Sequence, residues 1–184
     1  MLRYSADRFS ERTVTSDHSI ESLPASAGVE LSTADSGMKI GDIVVADGTV
    51  QYDLDATPLG YAPGTVLNQE EAESCCDRNI ADRLYQCAKD SVTTQQVYRG
   101  IVASGNGFVP SKETSERIVK EFDALAVEME GRAVGAVCVS CKIPFGVLRT
   151  MSDNADGTAS ENYNEFCESA AKTSIQIIRE YLAS

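Results

Sequence analysis

From residue 41 onward, apolar positions recur first at strand spacing and then at helical spacing, and the two patterns alternate along the chain. Gly41-Asp42 introduces Ile43-Val44-Val45-Ala46, a short apolar run that predicts a strand. Residues 49–67, TVQYDLDATPLGYAPGTVL, alternate only weakly and carry Pro58, Gly60, Pro63 and Gly64; they read as an extended segment entering a long loop. Asn68 to Asp90 predicts a helix, with Asn68 as its cap, Glu70, Glu71 and Glu73 in the first turns, and Ile80, Leu84 and Cys87 on one face. Val97 to Ala103 predicts the next strand, closing in Ser104-Gly105-Asn106-Gly107. Ser111 caps a short helix running to Phe122, Leu125 to Val127 makes a brief strand, and Glu130 to Lys142 a helix stopped by Pro144. Phe145 to Thr150 follows as a strand, and Glu161 to Leu182 as a terminal helix with Phe166, Ala170, Ile177, Ile178 and Tyr181 at helical spacing.

Strands alternating with helices predict an α/β layered fold with helices on both faces of the sheet. Residues 1–25 are polar, rich in Ser and Arg, and lack either periodicity; they read as a poorly ordered leader before one α/β domain over 26–184. At 184 residues and 42% hydrophobic the chain has room for one well-buried core. Sixteen basic against 28 acidic residues give a net charge of −12, which disfavours a nucleic-acid surface; any nucleotide ligand is then expected to be a small, uncharged nucleoside. No stretch reaches the roughly 20 uninterrupted apolar residues of a membrane helix, and the first 17 residues, whose three arginines are interleaved with Asp7, Glu11 and Asp17, have no signal-peptide core. The expected location is the cytoplasm.

Six cysteines include Cys138 and Cys141 in a CxxC, but this falls within AVGAVCVSCK, an apolar helix, and the single histidine is His18 in the leader. A structural zinc site needs four ligands at paired spacings. The expectation is buried thiols, with no metal and no cofactor.

Two acidic segments remain, each near the end of an apolar run: Val127-Glu128-Met129-Glu130 and Arg149-Thr150-Met151-Ser152-Asp153. Charge at such positions is costly to bury and usually has a use. Asp153 follows the strand FGVLRT, at the end where α/β sheets place ligands, and on residues alone it reads equally as a functional carboxyl or as the cap of the turn at NADG. Glu128 reads as a charge favouring a helix N-terminus, and Arg149 as an ion-pair partner of Glu130.

Together with Ser104-Gly105-Asn106-Gly107-Phe108-Val109, the loop Ser26-Ala27-Gly28 and GDIVVADGTVQYDLDATPLGYAPG, these segments resemble the 5′-methylthioadenosine/S-adenosylhomocysteine nucleosidases of the purine nucleoside phosphorylase superfamily. The resemblance implies a three-layer α/β/α fold with a central mixed sheet. It implies hydrolysis of the N-glycosidic bond, releasing adenine, with Asp153 as the acid that protonates N7 of the base. A base that leaves without its proton leaves poorly, so the carboxyl must hold a proton at working pH. Glu130 and Met129 would hold the ribose, Arg149 and Ser26 the water, and Phe108 would stack on adenine while the Val109 backbone reads the purine edge. Ser152, Gly28 and Tyr163 join the binding set, and Ala56 and Leu59 are candidates for an apolar lining contributed to a neighbouring subunit, since the family is homodimeric. The family usually shows Asp where Asn106 stands, and two of its loop glycines are replaced by Ala25 and Val29. A phosphorylase would need basic, Gly-rich phosphate contacts, for which Lys39 and the thinned Ser26-Ala27-Gly28 loop are poor material.

The resemblance covers residues 26–182 but only about the last two-thirds of the family's domain, so the expected fold lacks the first βαβ portion. The carboxylate that activates water in the family has no match, and losing such a base typically costs about 10²–10⁴-fold. Two expectations follow: a nucleosidase, or an impaired chain that binds adenine nucleosides or pairs with a full-length subunit.

Overall fold

The computed structural model describes residues 31–32, 37–66, 72–107, 109, 111–151, 153–154 and 163–184, with the backbone alone at 31–32, 153–154 and 163–168. Its centre is strand β2 (Ile43–Gln51), buried at every position but Asp47 and the half-buried Gln51. A strand with both faces covered tolerates a continuous apolar run, which is why IVVA carries no alternation. β4 (Val97–Ser104) pairs parallel to β2, and β5 (Ala124–Glu128) parallel to β4. β3 (Glu73–Cys75) and β6 (Leu148–Thr150) pair antiparallel to β2, at residues 48–50 and 43–45 respectively, so the sheet is mixed.

A register shift between Ala46 and Gly48 makes Asp47 the extra residue of a bulge and turns the second half of β2 over relative to the first. Ile43 and Val45, ahead of the bulge, face α1 (Arg78–Ser91) and α4 (Tyr163–Ala183), meeting Leu84, Ile177 and Tyr181. Val50, behind it, meets Ala103 and Ile118 of α2 (Lys112–Phe122) on that same side. Val44, Ala46 and Val102 face the other way, with Cys138 of α3 (Gly131–Cys141) among their partners. Three layers result, as expected, and each buried aliphatic side chain contributes about 1.5–3 kcal/mol of transfer free energy. Gly135 lets α3 lie close on the sheet: a Cβ there would press on Thr49 Oγ1 at 2.8 Å and on the Phe145 ring at 3.0 Å.

β6 leads within three residues to β7 (Asp153–Asn154), which pairs parallel with β1 (Leu31–Ser32), and β1 lies against β5. The sheet is therefore bent round, and side chains of β6 can reach the end of β5.

Ser111 caps α2 by accepting from Thr114 N at 3.3 Å, as its position predicts. The helix expected from Asn68 begins instead at Arg78, capped by Asp77, whose carboxylate accepts from Ile80 N at 3.0 Å. Within the expected span, Glu73–Cys75 is the edge strand β3: pairing with β2 outweighs the helix preference of a Glu-rich segment. Asn68 lies outside the described residues, as do the leader and Ser26-Ala27-Gly28. The strand expected over Phe145–Thr150 is limited to its last three residues.

Of the described thiols, Cys138 is buried, but Cys75 and Cys141 are exposed, contrary to the expectation of buried cysteines throughout. Burial pushes the Cys76 thiol up to about 12, so it is a weak nucleophile at neutral pH. Among the described residues, no group of three or more His, Cys, Asp or Glu could hold a metal ion, and no helix is long and apolar enough to cross a membrane.

Candidate active site

β4 and β5 end side by side, with Ser104 registered against Glu128. From that register the Ser104 hydroxyl donates to the Glu128 carboxylate, and the same oxygen accepts from Arg132 N at 2.7 Å. Directly after Glu128 the chain bends through Met129 and Glu130 into α3. The first amides of this turn point back at the carboxylate: Glu130 N lies 3.0 Å from Glu128 Oε2, and Gly131 N 2.7 Å from the same oxygen. Unpaired amides at a helix N-terminus and a carboxylate satisfy one another, and the helix dipole adds to the attraction.

Arg149, on β6, completes the arrangement. Its Nη2 donates to Glu128 Oε2, and both side chains are all but inaccessible to solvent. Taking two charges out of water costs several kcal/mol each, and such a pair is tolerated only where further hydrogen bonds satisfy the remaining sites, as Ser104 and the two amides do for the carboxylate. The same Nη2 lies 3.6 Å from Glu130 Oε2. Glu130, however, is not buried: its side chain is 56% exposed, and Met129 beside it is 46% exposed. Among the described residues, one buried cation thus faces one buried carboxylate and one open one.

The loop 105–107 is fixed from the opposite side. Gly105 N donates to Glu128 O at 3.0 Å, and the Tyr52 hydroxyl donates to Gly107 O at 3.0 Å. Asn106 donates to Asp53 Oδ2 twice, from its backbone N at 2.7 Å and from Nδ2 at 2.9 Å. Burial pushes the Asp53 carboxyl up, but hydrogen bonds from the Asn106 backbone, the Gln51 amide and the Asn106 side chain together outweigh it and hold the group below the usual carboxylate range. Gly105 is required here because the Tyr52 ring occupies the place of a Cβ.

The sequence-predicted residues distribute as follows. Glu130 and Arg149 come together, with Met129 at the bend just before Glu130. Val109 follows the fixed loop, half-buried against the cluster of Val50, Ala103, Ile118 and Val127. Asp153 lies in β7, its backbone registered with Leu31, and Tyr163 opens α4; the side chains of both are outside the described set. Ser26, Gly28, Phe108 and Ser152 lie outside the described residues altogether. Ala56 is buried, while Leu59 is 71% exposed.

Sequence reasoning missed Glu128. Its place in the sequence predicts a helix-terminal charge, which it is, but it is also a direct partner of Arg149, a place expected for Glu130. The signal available was its position: Glu128 ends the apolar run Leu125-Ala126-Val127 inside the strand, whereas Glu130 stands two residues beyond.

A sequence model of the phosphorylase superfamily matches residues 32–183. The chain is 37% identical over 147 residues to a 5′-methylthioadenosine/S-adenosylhomocysteine nucleosidase of Haemophilus influenzae, a match covering 79% of this chain and 63% of that one. It is 39% identical over 148 residues to an aminodeoxyfutalosine nucleosidase of Helicobacter pylori, covering 77% of this chain and 60% of that one. The crystal structure of 5′-methylthioadenosine/S-adenosylhomocysteine nucleosidase from Neisseria meningitidis in complex with methylthio-immucillin-A superposes with a TM-score of 0.76 at 32% identity, over 85% of this chain and 67% of that one. The chain spans about three-fifths of the length of the curated relatives it matches. It belongs to the phosphorylase superfamily, within which it is similar to the 5′-methylthioadenosine/S-adenosylhomocysteine nucleosidases.

Proposed function

We propose that the chain is a purine nucleosidase that hydrolyses the N-glycosidic bond of 5′-methylthioadenosine or S-adenosylhomocysteine, releasing adenine for methionine salvage and S-adenosylmethionine recycling. The observation that carries this reading is the exposed Glu130 carboxylate 3.6 Å from the buried Arg149 guanidinium, at the bend where β5 enters α3. An open carboxylate there can accept two ribose hydroxyls, and a negative charge under the sugar favours the oxocarbenium character of glycosidic transition states. Asp153, three residues beyond β6, is the proposed acid. It gives a proton to N7 as the C1′–N9 bond breaks and its electron pair passes to the base; water adds to C1′ and loses a proton to solvent, from which the Asp153 carboxylate is reprotonated. Arg149 and Ser26 orient that water, Met129 packs under the ribose, and Phe108 and Val109 hold the base, with Ser152, Gly28 and Tyr163 completing the pocket.

The names of the relatives support this substrate class, and the aminodeoxyfutalosine nucleosidase among them keeps a different 5′ substituent open to the same chemistry. We further propose a cytoplasmic homodimer, a state supported by the exposed apolar residues of α3.

The test is adenine release from methylthioadenosine by the purified chain, with Asp153→Asn as control. Release that falls at least 100-fold in the control supports the assignment. Release equal in both would remove Asp153 from the mechanism. Binding of methylthioadenosine without any release would replace hydrolysis by the second reading, a nucleoside-binding chain that pairs with a full-length subunit.

A further inference from the structure

Glu128 takes no part in the chemistry proposed above, yet it holds more of that region together than any other described side chain. Its carboxylate is met at once by the Ser104 hydroxyl, by the amides of Glu130 and Gly131, and by the Arg149 guanidinium. These four donors come from β4, the start of α3 and β6, elements far apart in sequence. We infer that Glu128 is a positioning residue for ribose binding: by occupying Arg149 it keeps the Glu130 carboxylate available to a ligand. This rests on Glu130 being the ribose-binding carboxylate.

Arg149 Nη2 is shared between a buried carboxylate in direct contact and an exposed one at 3.6 Å. A buried guanidinium must be compensated, and the partner that compensates it pays in freedom to bind anything else. With Glu128 ionised in place, that demand is met within the core, and the outer carboxylate interacts only at the margin of ion-pair distance. Replacing Glu128 by Gln keeps the shape, and its carbonyl oxygen can still accept from the two amides. Its NH₂, however, would face the donors of Arg149, so the guanidinium loses its compensating charge. Among the described residues, the other carboxylate within reach is Glu130, which would be drawn inward and engaged. The amides of Glu130 and Gly131 give Glu128 a second hold on the same geometry, because they set the bend from which Met129 and Glu130 project.

A ligand pair separates this role from a merely structural one. Methylthioadenosine carries the ribose that Glu130 would bind, and free adenine does not. Binding of each to the full chain is measured by titration calorimetry for the native protein, E128Q and S104A. The expected result is a loss of at least tenfold in methylthioadenosine affinity in E128Q, with adenine affinity changed less than twofold. S104A, which removes one donor and keeps the charge, should lose a few-fold for the nucleoside alone, and provides the readout should E128Q fail to fold. Equal losses for both ligands, or nucleoside affinity unchanged in folded E128Q, would overturn the inference while leaving the nucleosidase reading intact. A native chain that binds neither ligand would overturn the nucleoside reading and this inference with it, before any variant is compared.

Discussion

Two carboxylates separated by one methionine end in opposite environments. Glu128 is 2% exposed and saturated with donors; Glu130 projects from a bend and keeps most of its surface. Neither fate follows from residue type. Asn106 gives a similar lesson at a smaller scale. The resembling family usually shows Asp at this position, yet here both amide donors of Asn106 are committed to Asp53. An aspartate would keep only the backbone bond and set a second negative charge against Asp53. Asp53 has its folded pKa depressed below the ordinary 3.8, so it contributes stability above that value, lost as pH falls through the folded pKa. Asn106→Asp should therefore destabilise the chain by about 1 kcal/mol at pH 7, a modest figure because the pair is mostly exposed. At acid pH, once both carboxylates are protonated, the deficit should shrink towards zero. Urea unfolding at the two pH values measures it; a deficit that grows on acidification would refute the account of Asp53.

Among the elements, those read correctly from the sequence had local determinants. α2 begins after Ser111 because a hydroxyl at that position satisfies an end amide, and α3 stops before Pro144 with Lys142 in the left-handed conformation at φ 57°. α1 was misplaced because its true start depends on a partner distant in sequence. Residues 73–75 become strand when β2 is there to pair with, and only then does Asp77 stand at a helix N-terminus. Two caps of different legibility should nonetheless have the same energetic worth. Asp77→Ala and Ser111→Ala are each expected to cost about 1 kcal/mol. A loss near zero for Asp77→Ala by chemical denaturation would mean that α1 is held by packing of Ala81, Leu84 and Ala88 alone.

At the level of the whole molecule, the layering was legible because it needs only the order of strands and helices. The bend of the sheet was not, since it depends on β6 pairing with β2 about a hundred residues earlier and on β1 bridging β7 to β5. For the same reason the approach of Arg149 to Glu128 could not be read from spacing. The proposed second copy is the remaining long-range question. α3 carries a single charge, Arg132, and is apolar on both sides: Gly131, Gly135 and Cys138 face the sheet, while Val137 is 62% and Val139 46% exposed. A helix apolar all round is normally covered all round. In a homodimer a symmetric partner would cover this outer face, and a single charge placed there would appear twice across the two-fold axis. Val137→Asp should leave the fold intact, because the position is open to solvent in one chain, yet shift a native dimer to monomers at micromolar concentration. Sedimentation velocity on both proteins decides the matter. A native chain that sediments as a monomer would remove the dimer from the proposed function, and a dimer untouched by Val137→Asp would move its interface off α3.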